Sequence, residues 1–150
     1  MIIETAKASD VDVICALAKG VNEFEVGDET VGFWPSEVVA EAIESPEAVV
    51  VVARDGDEVV GFAIANLNQA FRKAIIENIY VAPSARGGGV GSQLLERVCS
   101  IATVDRGCEY IAALVPAEAE GALAVYSQVG FAKGNTFVWL DKTFAEEFRR

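Results

Sequence analysis

Four glycines in the run Arg86-Gly87-Gly88-Gly89-Val90-Gly91-Ser92 stand where a strand-like segment gives way to a helix-like one. That placement defines an anion chemistry. Residues 75–81 are rich in β-branched side chains and read as a strand, and Pro83 stops its ladder from continuing. Val90, Leu94, Leu95, Val98, Ile101 and Ala102 then recur at helical spacing. At such a corner several backbone N–H groups converge, and the helix start adds a field favourable to negative charge. Glycine lacks the Cβ that bars left-handed turns and the close approach of a phosphate. The familiar nucleotide signatures do not fit. No Lys-Ser or Lys-Thr follows the glycines, and Ser92 stands where a dinucleotide fingerprint needs its third glycine. A tight strand-to-helix turn without a ligand is the competing reading of the glycines alone.

The chain has no histidine, so neither an imidazole base nor a conventional zinc site is available. Cys15, Cys99 and Cys108 are odd in number, widely separated and without an imidazole to activate them. Unpaired buried thiols and no metal are the expectation. Glu77 lies on the predicted strand amid Ile75, Ile76 and Ile79, where desolvation raises a carboxylate's proton affinity toward that of a working base. The plainer alternative is a solvent-facing residue or one paired with Arg72 or Lys73. Tyr126 shares a helical face with Ala119, Ala122 and Leu123, which by itself indicates packing on a sheet. Upstream, Glu23, Glu25, Asp28 and Glu29 surround Phe24, and Phe33 and Trp34 follow. Carboxylates and aromatic faces suit an ammonium group, the latter adding about 0.5–2 kcal/mol, but the same composition describes an acidic loop with core aromatics.

The glycine run resembles the acyl-CoA-binding motif of the GNAT superfamily of N-acetyltransferases: Arg or Gln, two residues, Gly, one residue, then Gly or Ala. Here that is Arg86-Gly87-Gly88-Gly89-Val90-Gly91. Residues 121–131, in which Tyr126 precedes Gly130-Phe131, resemble the second signature of the same superfamily. The two occur in the family's order, and the resemblance covers residues 59–140. It implies an α/β (α+β) fold: a mixed, mostly antiparallel sheet, splayed to form a cofactor cleft and flanked by helices. It implies acetyl-CoA as cosubstrate, with the N–H groups of Gly87, Gly88, Gly89 and Gly91 on the pyrophosphate and Arg86, Val90 and Ser92 beside them. Backbone groups of Ile79 and Val81 would hold the pantetheine arm like an added strand. Tyr126 is implied to assist thiolate departure and Glu77 to act as base. Phe24, Glu25, Glu29 and Trp34 fall in the stretch that relatives use to shape the acceptor pocket. One departure is Ala119, where relatives often carry an asparagine that contacts the pantetheine region. The implied activity is acetyl transfer to a primary amine of a small molecule or peptide. The alternatives are a non-catalytic CoA-binding or protein-interaction module, or transfer of a longer acyl group. A homodimer is a further family expectation.

The elements that must position these groups are legible from periodicity. Residues 2–5 read as a strand, and Ser9 or Asp10 can cap a helix running to Gly20. Val38, Val39, Ala42 and Ile43 form a second helical face, closed by Pro46. Residues 48–54 and 58–67 flank Asp55-Gly56-Asp57 as a hairpin. The helix after the glycines should end near Gly107, followed by a buried-looking strand at 110–115 and a helix over 118–128. Residues 136–140 read as a last strand and 144–150 as a short helical tail.

With 150 residues, 52% of them apolar, the chain suits one domain spanning 1–150. No apolar run reaches membrane-span length and no basic segment leads into a signal core, so a cytoplasmic protein without a membrane role is expected. The net charge of −11 is uneven: residues 1–70 hold 14 acidic and 3 basic side chains, whereas residues 71–150 hold 9 of each. Nucleic acid is disfavoured as a partner, since phosphate neutralisation needs a basic surface. An acidic half beside a neutral, anion-binding half suits an anionic cofactor and a cationic amine, although acidity also serves solubility.

Overall fold

The computed structural model describes residues 1–19, 21, 34–138 and 140. Strand β1 (Ile2–Thr5) leads through a 3-10 turn to helix α1 (Val11–Ala18), and helix α2 (Ser36–Glu44) follows. Strands β2 (Ala48–Asp55), β3 (Glu58–Asn68) and β4 (Lys73–Val81) precede helix α3 (Val90–Ser100), strand β5 (Tyr110–Ala113) and helix α4 (Glu120–Gln128). The strands form one sheet in the order β1-β2-β3-β4-β5. The first three pairings are antiparallel and β4–β5 is parallel. This is the mixed, mostly antiparallel sheet flanked by helices that the resemblance implied.

β2 and β3 form the middle of the sheet because their β-branched runs are apolar on both faces. The hairpin between them closes at Gly56, whose φ of +60° is open to glycine at no steric cost. Val49, Val51, Ala63, Ala65 and Ile76 pack beneath α3, where Leu94, Leu95 and Val98 are fully buried. Val50, Val52, Phe62 and Ile64 face the other way, against Ile14, Ala18, Val39 and Ala42 of α1 and α2. Each Val, Leu, Ile or Phe among them contributes about 1.5–3 kcal/mol by leaving water. Two cores on one sheet hold the central strands rigidly between them.

Asp10 precedes α1 as expected, but its carboxylate does not cap the helix. It accepts from the Lys7 N–H at 2.9 Å and from Arg54 Nη2 at 2.7 and 2.8 Å, while Arg54 Nε donates to Glu4 Oε1 at 2.6 Å. An ion-pair cluster therefore ties β1, β2 and α1.

The sheet opens at β4. Its ladder with β5 runs only from Lys73↔Tyr110 to Ile76↔Ala113. Beyond that, β4 continues through residues 77–81 while the chain leaves β5 toward Pro116. A register shift against β3 at Ile64/Ala65 leaves Glu77 without a cross-strand partner. A bulge bends and twists its strand, and this one falls where the two strands part. The closed end is fixed by Arg72, which receives the Glu109 N–H on its carbonyl at 2.7 Å and pairs with the Glu109 carboxylate at 2.7 Å.

Two expectations change. Residues 136–138 and Leu140 form no strand, and Phe137, Val138 and Leu140 are exposed. An apolar run specifies a pleat but not an edge to pair with, and no described segment lies on the outer edge of β5. β5 is also shorter and less buried than its apolar sequence suggested, with Tyr110 63% exposed. The predicted tail helix at 144–150 lies outside the described residues.

Candidate active site

The gap between β4 and β5 is lined on one side by the free edge of β4. The Ala82 N–H donates to the Val60 carbonyl on β3 at 2.8 Å. Backbone direction alternates along a strand, so the N–H and C=O groups of Ile79 and Val81 point away from β3, toward the gap. Their side chains pack with the α3-side core, so packing and backbone recognition do not compete. The same alternation puts Tyr80 half-buried on the opposite face, its ring 6.1 Å from that of Phe62.

The glycine corner closes one end of this gap. Gly87 and Gly89 have φ of +84° and +77°, and Gly89 is the left-handed residue immediately before α3. Only glycine takes these angles freely, so the turn needs both. Gly88 differs: its φ is not positive and a Cβ there would meet nothing within 4 Å. Its smallness serves the fold in no visible way and leaves the backbone open to a ligand. At Gly91 a Cβ would lie 3.2 Å from Val125 Cγ1, so this glycine lets α4 approach the first turn of α3. Arg86 turns back on the strand, Nε donating to the Val81 carbonyl at 2.9 Å and its guanidinium 5.9 Å from the centre of the Tyr80 ring. Val90 is buried under the corner, and Ser92 Oγ donates to Gln128 Oε1 at 2.9 Å.

Tyr126 sits on α4 at the α3-side core, 7% exposed, its ring edge-on to Phe131 at 5.2 Å. Phe131 N–H donates to the Tyr126 carbonyl at 3.0 Å, folding the Gly130-Phe131 turn against the helix end. Burial pushes the Tyr126 phenol above the ordinary tyrosine value of 10.0, with a smaller push from Cys99, so it is protonated at neutral pH. Its hydroxyl makes no hydrogen bond to a described residue, leaving a proton donor without an internal acceptor. Burial likewise pushes the Cys15, Cys99 and Cys108 thiols up, and all three are free. None is prepared as a thiolate nucleophile. No group of His, Cys, Asp and Glu among the described residues is arranged to hold a metal.

Glu77 is exposed rather than lodged among its apolar sequence neighbours. Neither Arg72 nor Lys73 pairs with it; Asn66 Nδ2 donates to its Oε1 at 3.3 Å. Asn66 escaped sequence reasoning, although its signal was present as a polar residue ending the buried run of β3. Asn66 and Ile64 share the α1–α2 face of β3, and so Glu77 lies on that face of β4. Trp34 packs against the same core, its carbonyl 4.0 Å from the Cys15 thiol. Phe24, Glu25 and Glu29 lie outside the described residues. Ala119 stands at the N-cap of α4 and makes no side-chain cap.

The sheet opening and the glycine corner follow one another along the chain, Tyr126 lies in the core on the α3 side, and comparison with known proteins gives the chain a class. A family model described as the acetyltransferase (GNAT) family matches residues 20–131, well over half of the chain. The chain belongs to that family. It is 27% identical over 142 residues to a thialysine N-ε-acetyltransferase from Bos taurus, covering 87% of this chain and 83% of that protein. Among solved structures it is similar to an aminoglycoside acetyltransferase from an uncultured soil metagenomic sample, in complex with trehalose, with a TM-score of 0.78, 18% identity and 96% of each chain covered. It is also similar to an aminoglycoside N-acetyltransferase in complex with CoA, with a TM-score of 0.76 and 20% identity over 95% of this chain and all of the other. At these identities the structural likeness establishes the fold.

Proposed function

We propose that the protein is an acetyl-CoA-dependent N-acetyltransferase that acetylates a primary amine of a small molecule or peptide by direct transfer. The observation that carries this reading is the splayed sheet: five residues of β4 run past the end of β5, and a glycine corner with two left-handed glycines closes the opening. That cleft offers strand-edge hydrogen bonds for a pantetheine arm and converging N–H groups for a pyrophosphate. Gly88 and the β4 edge at Ile79 fit such a guest, since each leaves backbone unpaired with β5 where it would lie, while the Val81 carbonyl already accepts from Arg86 Nε.

The chain's own groups then have separate tasks. The β4 edge orients the thioester carbonyl and supplies an N–H toward the oxygen as charge develops there. The amine nitrogen forms its bond to the carbonyl carbon as the carbon–sulfur bond breaks. Tyr126 hydrogen-bonds the departing sulfur and supplies its proton. Glu77 takes the proton that the amine gives up, directly or through water. The products are an acetamide and a free thiol. The relatives named as a thialysine N-ε-acetyltransferase and an aminoglycoside N-acetyltransferase are both named for acetylation at nitrogen, and the acidic balance of residues 1–70 favours a cationic acceptor. Cytoplasmic residence and homodimerisation belong to the same proposal.

The test is acetyl-CoA-dependent release of free thiol across thialysine, lysine, polyamines, aminoglycosides and peptides with free N-termini. Turnover with one class supports the reading. CoA binding by calorimetry without transfer to any amine would instead identify a binding module, and faster turnover with longer thioesters would identify another acyltransferase.

A further inference from the structure

Asn78 is the one described residue whose side chain buries a polar atom without a partner: its Oδ1 is shielded from solvent and accepts no hydrogen bond. Buried polar groups in native proteins are overwhelmingly paired, and an orphan calls for an explanation, of which a partner from outside the chain is one. Its position is specific. Asn78 pairs with Ile64 across the sheet and therefore shares the α1–α2 face. The bulge leaves the preceding residue, Glu77, on this same face, where Asn66 holds its carboxylate. A regular strand would send residues 77 and 78 to opposite faces; the bulge sets a carboxylate and a carboxamide side by side. Both lie just past Ile76, the last residue of β4 paired to β5, at the point where the sheet opens.

We propose that Asn78 is an acceptor-binding residue, its Oδ1 taking an N–H of the substrate amine next to Glu77. This rests on the transferase reading above and deepens it. A lone carbonyl-type oxygen demands a donor, and an amine offers several N–H groups in either protonation state. Asn78 is neutral, so it favours the charged form of the nitrogen less than a second carboxylate would, and the adjacent Glu77 carboxylate is the group that accepts the proton. The pair thus distinguishes amines that can present an N–H from quaternary ammonium ions, which cannot.

Three variants and one titration test this. Asn78→Leu should raise KM for the acetylated amine about tenfold or more, leave KM for acetyl-CoA within about twofold, and not lower Tm, because it removes an unpaired polar group. Asn78→Asp should keep the amine KM near the wild-type value, since it retains an acceptor oxygen, whereas Asn78→Ala removes the oxygen and the volume together and, set against Asn78→Leu, reports the part due to volume. In the CoA-bound protein, the Asn78 side-chain amide resonances should shift saturably with 1,4-diaminobutane and not with tetramethylammonium, a cation without N–H. An unchanged amine KM in Asn78→Leu together with a lowered Tm would make Asn78 structural and overturn the assignment. Saturable shifts in a protein that releases no thiol with any amine would leave the Asn78 site standing and defeat the transferase reading. Absence of both shifts and turnover overturns both.

Discussion

Ser92 Oγ donates to Gln128 Oε1 at 2.9 Å, joining the first turn of α3 to the last turn of α4. One turn away, Gly91 meets Val125 closely enough that a Cβ would lie 3.2 Å from it. The glycine corner and the helix that carries Tyr126 are therefore packed as one unit, and under the proposed function this registers the anion-binding corner against the phenol.

Disturbing this registration should act on turnover more than on folding. Ser92→Ala removes one exposed hydrogen bond and should cost about 0.5–1 kcal/mol in denaturant titration. Gly91→Val should do more, because Val125 must yield and α4 shift with it. The expected result is a several-fold loss of kcat in Gly91→Val that exceeds the loss in Ser92→Ala, measured by thiol release. Equal kinetics in the two variants would show that the close approach of α4 does not matter to the chemistry.

Gly89 separates backbone strain from ligand repulsion. Its φ of +77° makes any side chain costly, about 1–2 kcal/mol. Gly89→Ala reports that strain alone. Gly89→Glu adds bulk and a negative charge where an anion is expected and should weaken acetyl-CoA binding at least tenfold beyond Gly89→Ala, read by calorimetry on folded protein. Matching affinities in the two variants would remove the corner from cofactor binding.

What was legible in the sequence follows how local each signal is. The glycine corner and the Tyr126–Phe131 unit each lie within a dozen residues, so their spacing survives without knowledge of the fold. The Asn66–Glu77 hydrogen bond and the orphan at Asn78 depend on a one-residue register shift between β3 and β4, and no single-strand pattern reports that. The Asp10–Arg54 pair spans 44 positions, and Asp10 read locally as a helix cap. Residues 136–138 and Leu140 failed for the converse reason: their pattern is strand-like, but a strand also needs a neighbouring edge.

The Arg54 cluster makes a prediction about acid. Burial alone would raise the Asp10 carboxyl, but the Arg54 hydrogen bonds and the Lys7 N–H together hold it below the ordinary 3.8. Glu4 is held below its ordinary 4.5, chiefly by the Arg54 hydrogen bond. A lowered folded-state value gives stability that is complete above the ordinary value and is lost as pH falls through the folded one. Unfolding free energy should thus be level above about pH 5 and decline below about pH 4. Arg54→Met should cost about 2–3 kcal/mol at neutral pH by stranding a buried carboxylate, and should flatten the acid decline. An acid limb identical to wild type would place the sensitivity elsewhere.

Tyr126 predicts opposite behaviour at high pH. Its folded-state value is raised, so the stability it contributes is complete below the ordinary value of 10.0 and lost as pH rises toward the folded one. Unfolding free energy should fall above pH 10 in wild type and fall less in Tyr126→Phe. In catalysis the same substitution should lower kcat about 10²-fold while leaving acetyl-CoA affinity nearly unchanged. Near-wild-type turnover in a well-folded Tyr126→Phe protein would assign the phenol to packing against Phe131.

Glu77 carries the last prediction because its geometry constrains how it can act as a base. The carboxylate is exposed and accepts from Asn66 Nδ2, so it is positioned by a neutral donor rather than by a cation. An exposed carboxylate is a weak base toward an ammonium, and its contribution comes from proximity and from aligning a water for the proton to cross. Glu77→Gln keeps the shape and the Asn66 partner but removes the proton acceptor. It should slow turnover about tenfold or more near pH 7 and recover as pH rises, because bulk solvent then deprotonates the amine. Asn66→Ala should produce a smaller defect of the same pH dependence, since it loosens the carboxylate without removing it. Rate profiles of Glu77→Gln and wild type that superimpose across pH 6–10 would leave bulk water as the base. A defect that persists undiminished at high pH would instead make Glu77 a binding group for the ammonium form, and the two outcomes are separated by whether kcat or the amine KM carries the change.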